Sequence, residues 1–190
     1  PQRPPPTRTK NVIRTTAITN GKKGIYQDVG GGMSDGHCSM LAVPQEARLL
    51  KALRSTFSNV TKVSYPKSGT CRFHAVIAMK NPVAGQQKNA AMIAFAEDIS
   101  LKLVIVVDED VDVFDDQDVF WAMATRMQAD DDIDVIRNAF GAILDPSNDN
   151  GKTAKMIIDA TKPRPDFSQR HTLPADAIER ARALIRKVRG

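Results

Sequence analysis

The stretch Leu101–Arg126, LKLVIVVDEDVDVFDDQDVFWAMATR, constrains the fold of this chain more than any other. Six of the seven residues in Leu101–Val107 are aliphatic and four are β-branched, Lys102 being the exception. No apolar/polar alternation runs through Leu103–Val107. That predicts a strand buried on both faces, the habit of a parallel sheet covered by helices. The run ends in Asp108, Glu109, Asp110 and Asp112, followed by Asp115, Asp116 and Asp118. Phe120, Met123 and Met127 then recur at helical spacing within Val119–Met127, with Trp121 and Ala124 beside them. Strand, acidic loop and helix make half of a βαβ unit, and the loop falls where open α/β sheets place their ligand sites.

The remaining elements follow from periodicity and punctuation. Asn11–Thr19 and Gly24–Val29 read as short strands joined at Asn20–Gly21, and Gly30–Ser39 as a flexible loop. Pro44–Phe57 reads as a helix with Ala47, Leu49, Leu50, Leu53 and Phe57 as its stripe. Val60–Tyr65 and Cys71–Met79 read as strands around a turn at Pro66–Gly69, and Val83–Ala96 as a small-residue helix. Asp132–Ala139 and Thr153–Ile158 read as strands flanking the loop Gly141–Asn150, and Lys162–Arg170 as irregular. Pro174–Arg189 reads as an amphipathic helix with Ile178, Ala181, Ile185 and Val188 on one face. The order predicts an α/β layered sandwich with a mixed, largely parallel sheet flanked by helices. Residues 1–10 form a Pro/Arg-rich extended tail in this reading. Residues 11–173 form the α/β domain, and 174–190 the closing helix.

Composition narrows the function. At 190 residues, 42% hydrophobic and 26% charged, the chain suits one soluble globular domain. It has no apolar run near the roughly 20 residues that span a bilayer. Its start, PQRPPPTRTK, is basic without an apolar segment and lacks a Met, as a processed or excised chain would. Two cysteines, Cys38 and Cys71, are too few for a disulfide framework, which fits the cytoplasm. The net charge of +5 divides into +11 over residues 1–88, −11 over 97–134 and +5 over 135–190. Opposed blocks neutralise one another or face a partner chain. With 5% aromatic residues and no helix-turn-helix pattern, nucleic-acid binding is not expected.

Three readings compete for Asp108–Asp118. An EF-hand fails because Val113 and Val119 stand where Gly and Glu are needed. A DxD at a strand end suits a hard cation, as in glycosyltransferases, but the spacing alone is a weak signal. The third is structural, with Asp115 or Asp116 capping the next helix. Elsewhere, the triple glycine at Gly30 lacks a phosphate-loop pattern. His37 and Cys38 lack partners at zinc spacing. Ser34, Asp35 and His37 are near in sequence only, and triads are defined by geometry. His74 reads as a core histidine, His171 as part of a polar linker, and Arg126 as complementing its helix dipole. No complete active site emerges.

Several blocks together resemble the C-terminal domain of the UbiD-type decarboxylases. They are Arg72–Gln87 (RFHAVIAMKNPVAGQQ), Val104–Arg126 against the family's VVVDDDID…DVxWAxxTR, and Leu144–Ser147 (LDPS). Ala154–Thr161 (AKMIIDAT) against KxxxDAT, Thr16–Thr19 (TAIT) and Val43–Leu50 (VPQEARLL) also fit in order. The motif residues are Asp108, Asp110, Asp112, Trp121, Thr125, Arg126, Asp159 and Thr161.

The resemblance implies a non-oxidative decarboxylase acting on an aromatic or unsaturated carboxylic acid, with prenylated FMN, Mn²⁺ and K⁺ in the complete enzyme. Those groups and the catalytic Glu–Arg–Glu set belong mainly to an N-terminal domain, and no segment here matches it. No cofactor, metal or catalytic residue is therefore expected on this chain alone. Family members carry a basic residue near the flavin phosphate just before the long strand, where this chain has Phe95, Ala96, Glu97 and Asp98. The family's substrate-lining segment corresponds to Ala139, Phe140, Gly141, Ala142 and Ile143, with Gly141 where bulkier apolar residues are common. The implied partners are a second copy of the chain or a catalytic subunit carrying the flavin domain, with the closing helix at the contact. A non-catalytic assembly or regulatory protein is the alternative, and a DxD glycosyltransferase a distant one.

Overall fold

The computed structural model describes residues 14–189 apart from 20, 22, 26, 169 and 172. Five strands, β1 (Val60–Ser64), β2 (His74–Met79), β3 (Leu103–Asp108), β4 (Ile133–Phe140) and β5 (Lys152–Ala160), form one sheet in the order β1-β2-β3-β5-β4. The helices are α1 (Asp35–Thr56), α2 (Gln86–Glu97), α3 (Asp116–Arg126) and α4 (Ala175–Arg189). β3 is central and parallel to both neighbours, β2 and β5, while the edge strands β1 and β4 run antiparallel.

The absence of alternation in β3 has the cause expected of it. Val104 and Val106 pack with Ala75, Ile77 and Ile157 beneath α1 and α2, which contribute Leu49, Leu53, Ala90, Ala91, Ala94 and Phe95. Ile105 and Val107 point the other way, with Val76, Ala78, Ile158 and Ala160, onto Val119 and Ala122 of α3. The domain is thus a sheet sandwiched between helices, each fully buried aliphatic side chain contributing about 1.5–3 kcal/mol of transfer free energy. Alanines at the contact let α2 lie close to the sheet.

Several expectations need correction. The described residues of Asn11–Thr19 and Gly24–Val29 carry no strand; Asn11–Ile13, Asn20 and residues 1–10 lie outside the described residues. Helix α1 starts nine residues before Pro44, so the end of the expected loop Gly30–Ser39 is helical. Ser34 caps it by accepting from the His37 N–H, and Pro44 sits on its exposed face, where the ring has room. Ala47 is exposed rather than part of the stripe, whose buried members are Leu49 and Leu53. β2 begins at His74, because Thr70 and Cys71 take left-handed backbone conformations and close a turn first. α3 begins at Asp116 and buries Val119, Ala122 and Arg126, leaving Phe120 on the surface. No described helix is long and apolar enough to cross a membrane.

Candidate functional site

The register separates the family-motif residues from the substrate-lining segment. Asp108, Asp110, Arg126, Asp159 and Thr161 cluster beyond the C-terminal ends of β3 and β5. The segment Ala139–Ile143 lies at the opposite end, because Phe140 pairs with Lys152 at the start of β5 and Leu103 pairs with Met156. The eight residue steps from Lys152 to Ala160 along β5 put about 26 Å between the two.

At the C-terminal end the centre is Arg126, which corrects its reading as a helix-dipole residue. Its side chain is only 2% exposed, and its Nη1 donates to Asp108 Oδ2 at 2.9 Å and to Asp110 Oδ1 at 3.1 Å. Its Nη2 donates to Asp110 Oδ2 at 3.0 Å, making the Asp110 pairing bidentate. The guanidinium also lies 5.2 Å from the Trp121 ring centroid and 5.9 Å from that of Phe167. Trp121 is therefore half-buried between two cations, Arg126 and Arg170, rather than a fully enclosed core residue. The Lys162 N–H donates to Asp108 Oδ2 at 2.7 Å, and Lys162 Nζ reaches Asp110 Oδ2 at 2.9 Å. Burial alone would raise the Asp110 pKa, but Arg126 and Lys162 hold it below the usual carboxylate range.

The other acidic-loop residues serve the backbone. Asp115 caps α3, its side chain accepting from the Gln117 N–H at 2.9 Å. Asp112 Oδ1 accepts from Phe114 N–H, and Asp118 Oδ2 accepts from the Asp112 N–H. The DxD carboxylates are thus committed to cations and N–H groups of the protein, and do not fit a metal site. Among the described residues no three His, Cys, Asp or Glu converge as metal ligands.

Asp159 Oδ1 accepts from both the N–H and the Oγ1 of Thr161, and Thr161 Oγ1 accepts from Gln87 Nε2 at 3.1 Å, joining β5 to α2. Burial pushes the Asp159 pKa up, with Asp132 and Asp108 adding to the effect. Thr125 is exposed and returns its hydroxyl proton to the Trp121 carbonyl. A cavity of about 1110 Å³ opens here, lined by Asn81, Gln87, Asp108, Arg126, Thr161 and Phe167 among others. Two buried polar atoms of its lining, Gln87 Oε1 and Arg126 Nε, have no hydrogen-bond partner. The cluster is a structural lock on the β3–α3–β5 junction.

The opposite end exposes several large apolar side chains beside a polar groove lined by Lys102, Arg137, Asn138, Ser147, Asp149 and Lys152. Phe140, Ile143 and Leu144 are 65%, 62% and 71% exposed, and Ile99, before β3, is 48% exposed. Ala139 and Ala142 are half-buried, and Gly141 is buried. A side chain at Gly141 would place its Cβ 2.5 Å from Thr153 Cγ2, so Thr153 occupies the space that a larger residue would need. Lys102, the one polar residue in the long strand run, anchors this end by pairing with buried Asp145 at 2.9 Å and donating to Ser147 Oγ at 2.6 Å. Burial would raise the Asp145 pKa; Lys102 and the two hydrogen bonds from Ser147 hold it low. The LDPS block thus supplies, in Asp145 and Ser147, the partners of Lys102, a role its motif alone does not indicate. The signal was the isolated lysine in an apolar run.

The stretch Phe95–Asp98 does not fit a flavin phosphate. Phe95 and Asp98 are buried, and Asp98 Oδ2 accepts from the Tyr65 hydroxyl. Nearby cations are already engaged: Arg48 donates to the Glu97 carbonyl, and Lys155 donates to the carbonyls of Ile99 and Leu101 beneath the surface. His74 is half-buried rather than a core residue, and burial followed by Lys102 lowers its pKa.

Comparison with known proteins agrees with this architecture. The anhydromevalonate phosphate decarboxylase of Methanocaldococcus jannaschii is 41% identical over 157 residues, covering 81% of this chain and 37% of that protein. The gallate decarboxylase of Lactiplantibacillus plantarum is 39% identical over 166 residues, covering 80% of this chain and 34% of the relative. Among solved structures, the UbiD-class enzyme HmfF from Pelotomaculum thermopropionicum in complex with FMN superposes with a TM-score of 0.68 at 39% identity, over 73% of this chain and 32% of that one. The chain spans about a third of the length of the curated relatives it matches. Residues 38–160 match the model of the 3-octaprenyl-4-hydroxybenzoate carboxy-lyase C-terminal domain, and the chain belongs to that UbiD family.

Proposed function

We propose that this chain is the C-terminal part of a UbiD-type carboxy-lyase, removing CO₂ from an unsaturated or aromatic carboxylic acid once joined to a flavin-bearing portion. The carrying observation is that the end of the sheet opposite the Arg126 cluster exposes large apolar side chains. Ile99, Phe140, Ile143 and Leu144 project beyond the N-terminal ends of β3 and β5 on a chain that covers only a third of its relatives. Such exposed apolar side chains suit a wall that excludes water from a reacting carboxylate. This chain's own contribution is then to shape and dry the pocket, with Lys102 and Asp145 fixing the hairpin that presents Phe140 and Leu144. In this reading the prenylated flavin, Mn²⁺, K⁺ and the Glu–Arg–Glu set reside in the other portion.

The closing helix supports an assembly role. Along its stripe Ala181, Ile185 and Val188 are exposed and Ile178 is half-buried, with Leu184 exposed beside them. An apolar face left unpacked against its own sheet suits a contact with a neighbouring subunit.

The test uses the complex of this chain with a flavin-loaded upstream portion, assayed for CO₂ release from a panel of acids. Turnover is expected from the complex and not from the chain alone. Leu144→Asp is expected to reduce kcat/KM at least about tenfold, while deletion of residues 174–190 lowers the oligomeric state in sedimentation. Turnover by the chain alone, or an unchanged Leu144→Asp complex, would overturn the wall; an unchanged sedimentation coefficient would overturn the helix contact.

A further inference from the structure

The polar groove beside the exposed apolar side chains has a volume of about 510 Å³ and gathers three cations, Lys102, Arg137 and Lys152, against one carboxylate, Asp149. Lys102 is engaged with Asp145 and Ser147. Among the described residues neither Arg137 nor Lys152 has an ion-pair partner. Arg137, Asn138, Ser147 and Lys152 are exposed, so the groove is open to a solute.

The backbone fixes where these cations stand. Strand β4 carries one extra residue between its pairings Ile136–Lys155 and Ala139–Thr153, and Asn138 within that bulge has φ of +58°. A bulge re-aims side chains, and Arg137 and Asn138 both line the groove from it. Lys152 follows a tight turn whose central residues, Asn150 and Gly151, have φ of +52° and +89°. Across that turn Asp149 and Lys152 exchange both backbone hydrogen bonds, at 3.1 and 2.9 Å. Cations held together without a counter-charge repel one another, and an anion between them removes that cost. The guanidinium fork of Arg137, the Lys152 ammonium and the Asn138 amide supply the donors that an oxyanion accepts from. Asp149 opposes the anion but leaves the cations in excess.

We propose that this groove binds a dianionic oxyanion, a phosphate or a dicarboxylate. Resting on the carboxy-lyase reading, the anion is a second charged group of the substrate, remote from the carboxylate that leaves as CO₂. Phe140, on the exposed apolar side, pairs directly with Lys152 of the groove. An acid whose body lies on Phe140 therefore reaches the cations with its far end. Binding energy from that remote group holds the reacting end in place.

The experiment titrates the full chain with methyl phosphate, with glutarate and with the monoanion propanoate, following backbone amide shifts by NMR. Saturable shifts at Asn138 and Thr153 are expected for one or both dianions, at least about tenfold tighter than for propanoate, and the stronger dianion identifies the oxyanion. The Arg137→Ser, Lys152→Ser double variant, checked for fold by circular dichroism, is expected to weaken binding at least about tenfold. No saturable shift, equal affinity for propanoate, or binding unchanged in the double variant would overturn the groove as an anion site. In the flavin-loaded complex, Arg137→Ser is expected to lower kcat/KM for acids bearing a second anion at least about tenfold more than for simple acids. Equal losses for both kinds of acid would overturn the substrate assignment. Absence of turnover from every acid would instead overturn the carboxy-lyase reading, while the titration still decides the groove.

Discussion

Replacing Arg126 with methionine tests whether the motif cluster is a structural lock. Methionine roughly preserves the buried volume, so the cavity contribution stays small and the electrostatic loss dominates. The substitution leaves Asp108, whose side chain is 13% exposed, with only the Lys162 N–H at 2.7 Å. Removing one partner of a buried pair costs about 3–5 kcal/mol, chiefly through the uncompensated charge left behind. Asp110 contributes less, since its side chain is 43% exposed and keeps Lys162 Nζ at 2.9 Å. A loss near the lower end, about 3 kcal/mol, is therefore expected, equivalent to a fall of about 1.5 M in urea midpoint for a slope of about 2 kcal/mol per M.

Far-UV circular dichroism is the appropriate probe, because the sole tryptophan, Trp121, stacks on the mutated side chain and its fluorescence would change locally. The decisive comparison adds Asp108→Leu. If the cost lies in an orphaned carboxylate, the double variant recovers more than half of the loss. A midpoint within experimental error of the parent, or two losses that simply add, would refute the reasoning.

Two further outcomes follow from the same geometry. Gly141→Ala places its Cβ 2.5 Å from Thr153 Cγ2 and is expected to lower the thermal midpoint by about 1–3 kcal/mol equivalent, with partial recovery when Thr153→Ser removes that methyl. Asp159 has a raised pKa in the folded state, so its stabilising contribution is full below the ordinary carboxylate pKa of 3.8 and is lost as pH rises through the folded value. Asp159→Asn is therefore expected to raise the denaturation midpoint at neutral pH and to bring no gain near pH 3; a gain independent of pH would contradict the assignment.

What the sequence made legible is what short-range physics determines. Leu103–Val107 could be read as a doubly buried strand because a strand with helices on both faces has no polar side to betray it. Asp115 could be read as a cap because capping involves neighbours two residues away. The early start of α1 was hidden because Gly36 and Pro44 signal interruption, whereas the deciding contributions are the Ser34 cap and the burial of Cys38 and Ala42. Arg126 was hidden for a different reason. A guanidinium at a helix end looks solvated until carboxylates 16 and 18 residues earlier are folded back onto it. The placement of the motif residues and the substrate-lining segment at opposite ends of the sheet lay furthest out of reach. It depends on β5 running parallel to β3 while β4 returns antiparallel at the edge, which carries the LDPS hairpin back beneath Lys102. Residues that are close in the motif's linear order therefore do different work. Asp108, Asp110 and Arg126 hold the sheet to α3, while Lys102 and Asp145 hold the hairpin that leaves Phe140, Ile143 and Leu144 exposed at the far end.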